Sequence, residues 1–236
     1  MSQYIVTKSN YLIEASYSLT LPEQRLLLAC LSKMDSRKKA AKEVTITARD
    51  YAIIMGSDLN NSYKELQQAV DRLYEQSIIV SDPDQTTEIR WIQSKALYHK
   101  GEAKVSFMWS DLVLKYISQL SDRFTSYRIS NIAKFKTIYS IRIYELLLQF
   151  KQTNQRIIEI RDLKKWLQIE GKYDVFKEFN RKILQKSIKE IKEKSGLDIE
   201  VSLLRKGRSV YAIQFYFTEK TDRCPRTIDM VNLMED

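Results

Sequence analysis

The sequence predicts an α+β protein made of two tandem winged-helix domains, residues 1–132 and 133–220, with a tail at 221–236. Three observations predict it. First, residues 175–194, VFKEFNRKILQKSIKEIKEK, form an amphipathic helix. At about 100° per residue, Phe176, Phe179, Ile183, Leu184, Ser187, Ile188 and Ile191 gather on one side. Arg181, Lys182, Gln185, Lys186, Lys189 and Lys192 gather on the other, with Glu178 and Glu193 as acidic company. Second, two strand-like runs follow at once, 199–204 and 210–217, joined by Arg205-Lys206-Gly207-Arg208. A helix followed by a hairpin, with cations on both, is the layout in which one helix enters the major groove and the hairpin touches the flanking backbone. Third, the order helix, strand, short helix, long helix, paired strands occurs at 21–109 and again at 138–217.

Taken in order, Thr20-Leu21-Pro22-Glu23 has the form of a capping box, and the run LLLACL follows it, so a helix over 21–33 is expected. Residues 35–42, DSRKKAAK, read as a polar loop and 43–46 as a short strand. A short helix begins at Thr47 and ends near Gly56. Ser62-Tyr63-Lys64-Glu65 reads as a second capping box, opening a helix to Gln76 with Tyr63, Leu66, Val70, Leu73 and Tyr74 inward. Strands are expected at 78–80, 88–98 and 104–109, separated at Asp82-Pro83-Asp84 and Lys100-Gly101. A helix over 110–120 follows, then a strand or helix end at 124–129 and one long helical region over 130–150. A strand at 157–160 and a short helix at 161–167 lead into the basic helix. The tail after Lys220 shows no periodicity and is expected to be mobile.

The 236 residues carry a net charge of +9, and its distribution says more than its size. Residues 1–133 have a net charge of +2, residues 134–220 a net of +9 and the last sixteen a net of −2. A local surplus of this kind favours a phosphate-rich partner, although a membrane surface or an acidic protein satisfies the same arithmetic. No apolar run approaches the ~20 residues that span a bilayer, and the N-terminus lacks a signal segment, so a cytoplasmic location is expected. Cys30 lies in an apolar run and reads as core, while Cys224 lies in the polar tail beside Pro225. Neither cysteine has metal-ligand spacing.

The two long helices align at an offset of 113, with Tyr63-Lys64-Glu65-Leu66 over Phe176-Lys177-Glu178-Phe179 and Val70 over Ile183. Arg49-Asp50-Tyr51 lies over Arg161-Asp162-Leu163 at an offset of 112. A duplicated module explains both. It also supplies an internal control. Where the second copy has Arg181, Lys182, Gln185 and Lys189, the first has Gln68, Ala69, Arg72 and Gln76. Only the second copy should grip a duplex; the first should pair with another protein or touch backbone lightly.

Several stretches carry a family resemblance: TLPEQRLL at 20–27, FTSYRI at 124–129, YSIRIYELL at 139–147 and the helix over 176–189. In these, and in their order, residues 4–218 resemble the iteron-binding replication initiators, the Rep proteins of theta-type plasmids. The resemblance implies an N-terminal winged helix used for dimerisation and lighter DNA contact, and a C-terminal one that reads repeated origin sequences. It further implies a monomer that opens the origin, a homodimer in equilibrium with it that represses its own promoter, and contacts with a host replication initiator and helicase.

For direct base reading the N-terminal half of the basic helix is favoured, with Lys177, Asn180, Arg181 and Gln185 as candidates. Arg181 can make a bidentate contact to guanine. Lys177 and Asn180 lie nearer the apolar flank, and partial burial competes with base contact there. Lys182, Lys186 and Lys189 are assigned to phosphate, as are Arg205, Lys206 and Arg208 of the wing. Tyr173 contacts phosphate or caps the core, and Trp166, Phe176, Phe179 and Tyr144 are assigned to core.

Enzymatic classes fit poorly. A nicking initiator needs a nucleophilic tyrosine and a histidine-held metal, and this chain has one histidine, His99, which reads as a surface residue beside a turn. The Arg/His/Arg set of a tyrosine recombinase and the phosphate loop of an ATPase are absent too, the latter from a chain with five glycines. No enzyme activity, cofactor or metal is expected. Two other binding classes remain: a winged-helix transcription regulator without an origin role, and a protein-interaction module whose basic helix meets an acidic partner.

Overall fold

The computed structural model describes residues 4–99 and 103–219, the side chains of 95–99 excepted. The chain enters through β1 (Ile5–Ser9) and a single turn, α1 (Asn10–Ile13). The first module then runs α2 (Leu21–Ser32), β2 (Glu43–Thr47), α3 (Ala48–Met55), α4 (Leu59–Glu75), a hairpin of β3 (Ser77–Ser81) and β4 (Thr86–Arg90), β5 (Ile92–His99) and β6 (Lys104–Trp109). Next come α5 (Asp111–Ile117) and β7 (Phe124–Arg128), which pairs antiparallel with β1. The second module comprises α6 (Ile138–Leu148), β8 (Gln155–Glu159), α7 (Ile160–Trp166), a helical stretch over 176–194, β9 (Leu197–Lys206) and β10 (Ser209–Glu219).

The two three-stranded sheets share one topology, β2-β6-β5 in the first module and β8-β10-β9 in the second. In each, the strand before the short helix pairs with the last strand, which pairs with the one before it. Two winged-helix modules are therefore present. The first differs by the β3-β4 hairpin inserted after its long helix.

Local signals explain most boundaries. The Thr20 backbone N–H donates to Glu23 Oε2 at 2.8 Å, fixing the start of α2. Gly56, in the left-handed region at φ 62°, ends α3. Ser110 accepts from the Val113 N–H and caps α5.

Four expectations need correction. Ser62 does not open α4. Asp58 does so, its side chain accepting from the Asn60 N–H at 3.1 Å, while Ser62 sits a turn further in, buried, with its hydroxyl donating to the Asp58 carbonyl at 2.6 Å. Glu65, the supposed partner in the box, instead accepts from the Tyr51 hydroxyl. The strand expected over 88–98 is two strands, because Trp91 turns inward to full burial and β4 and β5 pair with different partners. The helix expected over 130–150 is a 3₁₀ turn at Ile129–Asn131, a link, and then α6, whose start is fixed by Thr137 accepting from the Ser140 N–H. Finally, β1 had no counterpart in the expected elements.

The core is continuous through both modules. Cys30 is buried within it, and burial pushes its thiol up to about 12. Tyr144 and Phe179 are buried and Trp166 and Phe176 pack partly buried against the core, as assigned. At the junction, α6 carries charge into the interior. Glu145, fully buried, pairs with Lys8 of β1 at 2.7 Å and accepts from the Tyr127 hydroxyl of β7. Burial, and then that carboxylate, drive the Tyr127 phenol well above its ordinary range. Arg142 donates to the Ala15 carbonyl at 2.6 Å, the Trp166 carbonyl at 3.0 Å and the Tyr17 hydroxyl. Arg156 donates to the Leu146 carbonyl and to Glu14. Among the described residues no helix is long and apolar enough to cross a membrane.

Candidate nucleic-acid interface

The stretch over 176–194 is one helix with an irregular middle: α8 (Phe176–Phe179), a π-helical turn at Asn180–Leu184, and α9 (Gln185–Lys194). The Gln185 N–H bonds back to the Asn180 carbonyl, five residues earlier, and its side-chain amide donates to Asn180 Oδ1 at 3.2 Å over the same interval. A π turn is a one-residue expansion of an α-helix and recurs at functional sites.

That extra residue changes how the two modules align. Phe179, Ile183, Leu184, Ser187, Ile188 and Ile191 are buried in the second helix, and Leu66, Ala69, Val70 and Leu73 in the first. Leu66 matches Phe179 at the offset of 113, but Ala69, Val70 and Leu73 match Ile183, Leu184 and Ser187 only at 114. Ala69, expected to face outward opposite Lys182, is 1 % exposed. The constant offset was wrong past the π turn, and it is there that the second helix gains a cation.

On the outward face, Lys177, Arg181, Lys182, Gln185, Lys186 and Lys189 are exposed and Asn180 is half-buried. Arg205, Lys206 and Arg208 are exposed at the tip of the long β9-β10 hairpin, where Lys206 faces Ser209 across a turn made by Gly207 at φ 60°. All ten candidate residues thus sit on two exposed surfaces, helix and wing. Among the described residues no hydrogen bond or ion pair joins one surface to the other. Tyr173, partly buried against the core, has the ammonium of Lys182 5.7 Å from its ring centre, while its carbonyl accepts from Lys164.

The cations are not equally available. Glu178 accepts from Lys182 at 2.7 Å and, with both oxygens at 3.2 Å, from Nη2 of Arg181. These bonds, Lys182 first, hold the Glu178 carboxyl below its ordinary value. Lys189 lies 3.9 Å from Glu193, and Lys192 is turned to Asp198 at 2.8 Å, so the latter belongs to the flank. Among the described residues Lys177, Lys186, Lys206 and Arg208 have no carboxylate partner. Sequence reasoning missed the π turn and the central place of Glu178, although the three-residue and four-residue spacings from Glu178 to Arg181 and Lys182 could have revealed the second.

The first module offers a weaker surface. Lys64, Gln68 and Arg72 are exposed on α4, but so are Asp71 and Glu75. Among the described residues no group of three or more His, Cys, Asp and Glu side chains could hold a metal ion. His99 ends β5 with its side chain outside the described residues, as Cys224 and the tail 221–236 are.

A helix seated by its apolar face, showing cations outward and followed by a basic-tipped hairpin, defines a DNA-binding protein of the winged-helix class. The family described as "Initiator Replication protein, WH1" matches residues 5–148 and that described as "Initiator Rep protein, WH2" matches residues 159–217. The chain belongs to this family of replication initiator proteins. It is 27 % identical over 246 residues to a "Replication initiation protein" of Escherichia coli, covering all of this chain and 75 % of the relative. It is 24 % identical to the "PI protein" of Escherichia coli, covering 86 % of this chain and 79 % of that protein. The fold matches the crystal structure of the Pi initiator protein in complex with iteron DNA with a TM-score of 0.79, at 22 % identity over 92 % of this chain and 98 % of that one.

Proposed function

We propose that this protein initiates replication of a plasmid by binding repeated origin sequences, with the helix over 176–194 in the major groove and the wing on the flanking backbone. The observation that carries this is the exposed cationic face of a helix whose opposite face is buried, in a family of replication initiators. The DNA-bound relative of the same fold supports the repeat as ligand.

In this reading Lys177, Asn180, Arg181 and Gln185 meet base edges. Lys182, Lys186, Lys189, Arg205, Lys206 and Arg208 meet phosphate. Residues 1–132 serve dimerisation and light backbone contact, and 133–220 serve recognition. A monomer binds the origin, a dimer represses the protein's own promoter, and a host initiator and helicase are recruited without catalysis by this chain. The mixed charge on α4 supports the division of labour, since it gives the first module little to hold a duplex with.

Footprinting on the DNA flanking the gene tests the proposal. Regularly spaced protected repeats are expected, and a single protected operator would instead mark a simple regulator. Binding should also lose about 10³ to 10⁵ in affinity between 50 and 200 mM salt if about 6 to 10 phosphates are contacted. A salt-insensitive complex would point to an acidic protein partner.

A further inference from the structure

Glu178 is an anomaly on the helix surface. It sits in the first turn, between Lys177 and Arg181, on the part of a recognition helix that presents residues to base edges. A carboxylate there repels phosphate, and its low pKa keeps it charged at neutral pH. The other carboxylates of this helix have different employment. Glu190, mostly buried, accepts from the Lys136 N–H and from Lys194, while Glu193 sits at the far end by Lys189.

Two further observations set Glu178 apart. Its side chain is 39 % exposed and its two oxygens engage both Arg181 and Lys182, so it orders the two cations inside the π turn. Arg181 and Lys182 stand three and four residues after Glu178, the helical spacing that puts both within reach of this one carboxylate. Arg181 is held through Nη2 alone, a monodentate grip that leaves the guanidinium able to donate elsewhere. A carboxylate in the major groove accepts from the exocyclic amine of cytosine and is repelled by the acceptor atoms of guanine and thymine. Its repulsion from the backbone lowers affinity for every duplex, and a matched cytosine offsets that loss only at the right site.

Resting on the DNA-reading role proposed above, we infer that Glu178 is a specificity-determining residue: it accepts from the N4 amine of a cytosine in the repeat, next to the guanine read by Arg181. Both contacts come from one ion cluster. The carboxylate gives up Lys182 to phosphate and keeps Arg181 oriented toward its base.

The test measures binding of the full chain to the footprinted repeat, to a scrambled duplex and to repeats changed one base pair at a time, for the wild type, Glu178→Gln and Arg181→Ala. The expected result is that Glu178→Gln binds the scrambled duplex several-fold more tightly and gains no affinity for the repeat. It should also become indifferent at one C·G position where the wild type discriminates by about 5- to 10-fold. If Glu178→Gln shifts the repeat and the scrambled duplex by the same factor and keeps every base preference, the residue is only a surface ion partner and the inference is overturned. If Arg181→Ala also leaves repeat binding unchanged, or the wild type shows no preference for the repeat, the DNA-reading role has failed and the inference falls with it. A loss of preference in Arg181→Ala but not in Glu178→Gln would overturn the inference alone.

Discussion

The two long helices, α4 and the stretch over 176–194, are seated alike and surfaced differently. Each follows a short helix and buries a stripe of apolar residues against its own three-stranded sheet. The first shows a mixture of Lys64, Arg72, Asp71 and Glu75; the second shows six exposed polar and basic residues, with Glu178 in the first turn and Glu193 near the far end. Since the buried stripes are equivalent, the fold does not require the basic face. The difference belongs to what each surface meets, and it makes the first module a built-in reference for the second.

The largest effects should be those that the two helices share. Phe179 and Leu66 are both fully buried, so Phe179→Ala and Leu66→Ala should each destabilise the protein by about 2 to 5 kcal/mol in urea unfolding. A large loss at one and none at the other would break the equivalence of the cores. Next should come changes that only the second helix feels. Arg181→Ala should weaken binding to the repeat by about 1 to 3 kcal/mol and relax one base position in a mutated-repeat series. Arg72→Ala on α4 should lower repeat and scrambled affinity alike, by less than about 1 kcal/mol. The smallest change should come from the wing, where Lys206→Ala weakens all duplexes together and reduces the slope of log affinity against log salt by about 0.9.

Much of this was legible because surface chemistry follows short periods. The apolar stripe over 176–191, the cations opposite it and the basic hairpin tip all lie within a few residues of one another, and the structure exposes all of those cations but Lys192, which is partly buried and turned to Asp198. The π turn was not legible because Ile183-Leu184 and Ser187-Ile188 come in pairs, wide enough to follow an α or a π phase equally well. Strand β1 was hidden for a different reason. Its Lys8 reads as a surface residue, yet it is 1 % exposed because Glu145, remote in sequence, comes to meet it. Likewise Ser62 looked like a cap because nothing local shows that Asp58 reaches the free N–H groups first.

The π turn also bears on how the chain can change length. Leu66 matches Phe179 before the turn, and Ala69, Val70 and Leu73 match Ile183, Leu184 and Ser187 after it only with one residue added. A variant lacking Lys182 should close up into a regular α-helix with each buried side chain still in its seat, and should unfold cooperatively within a few degrees of the parent. Most single-residue deletions inside a helix turn the following residues by about 100° and wreck the packing. Here one position should be exempt, so that a single in-frame loss removes an outward-facing cation without rebuilding the domain beneath it.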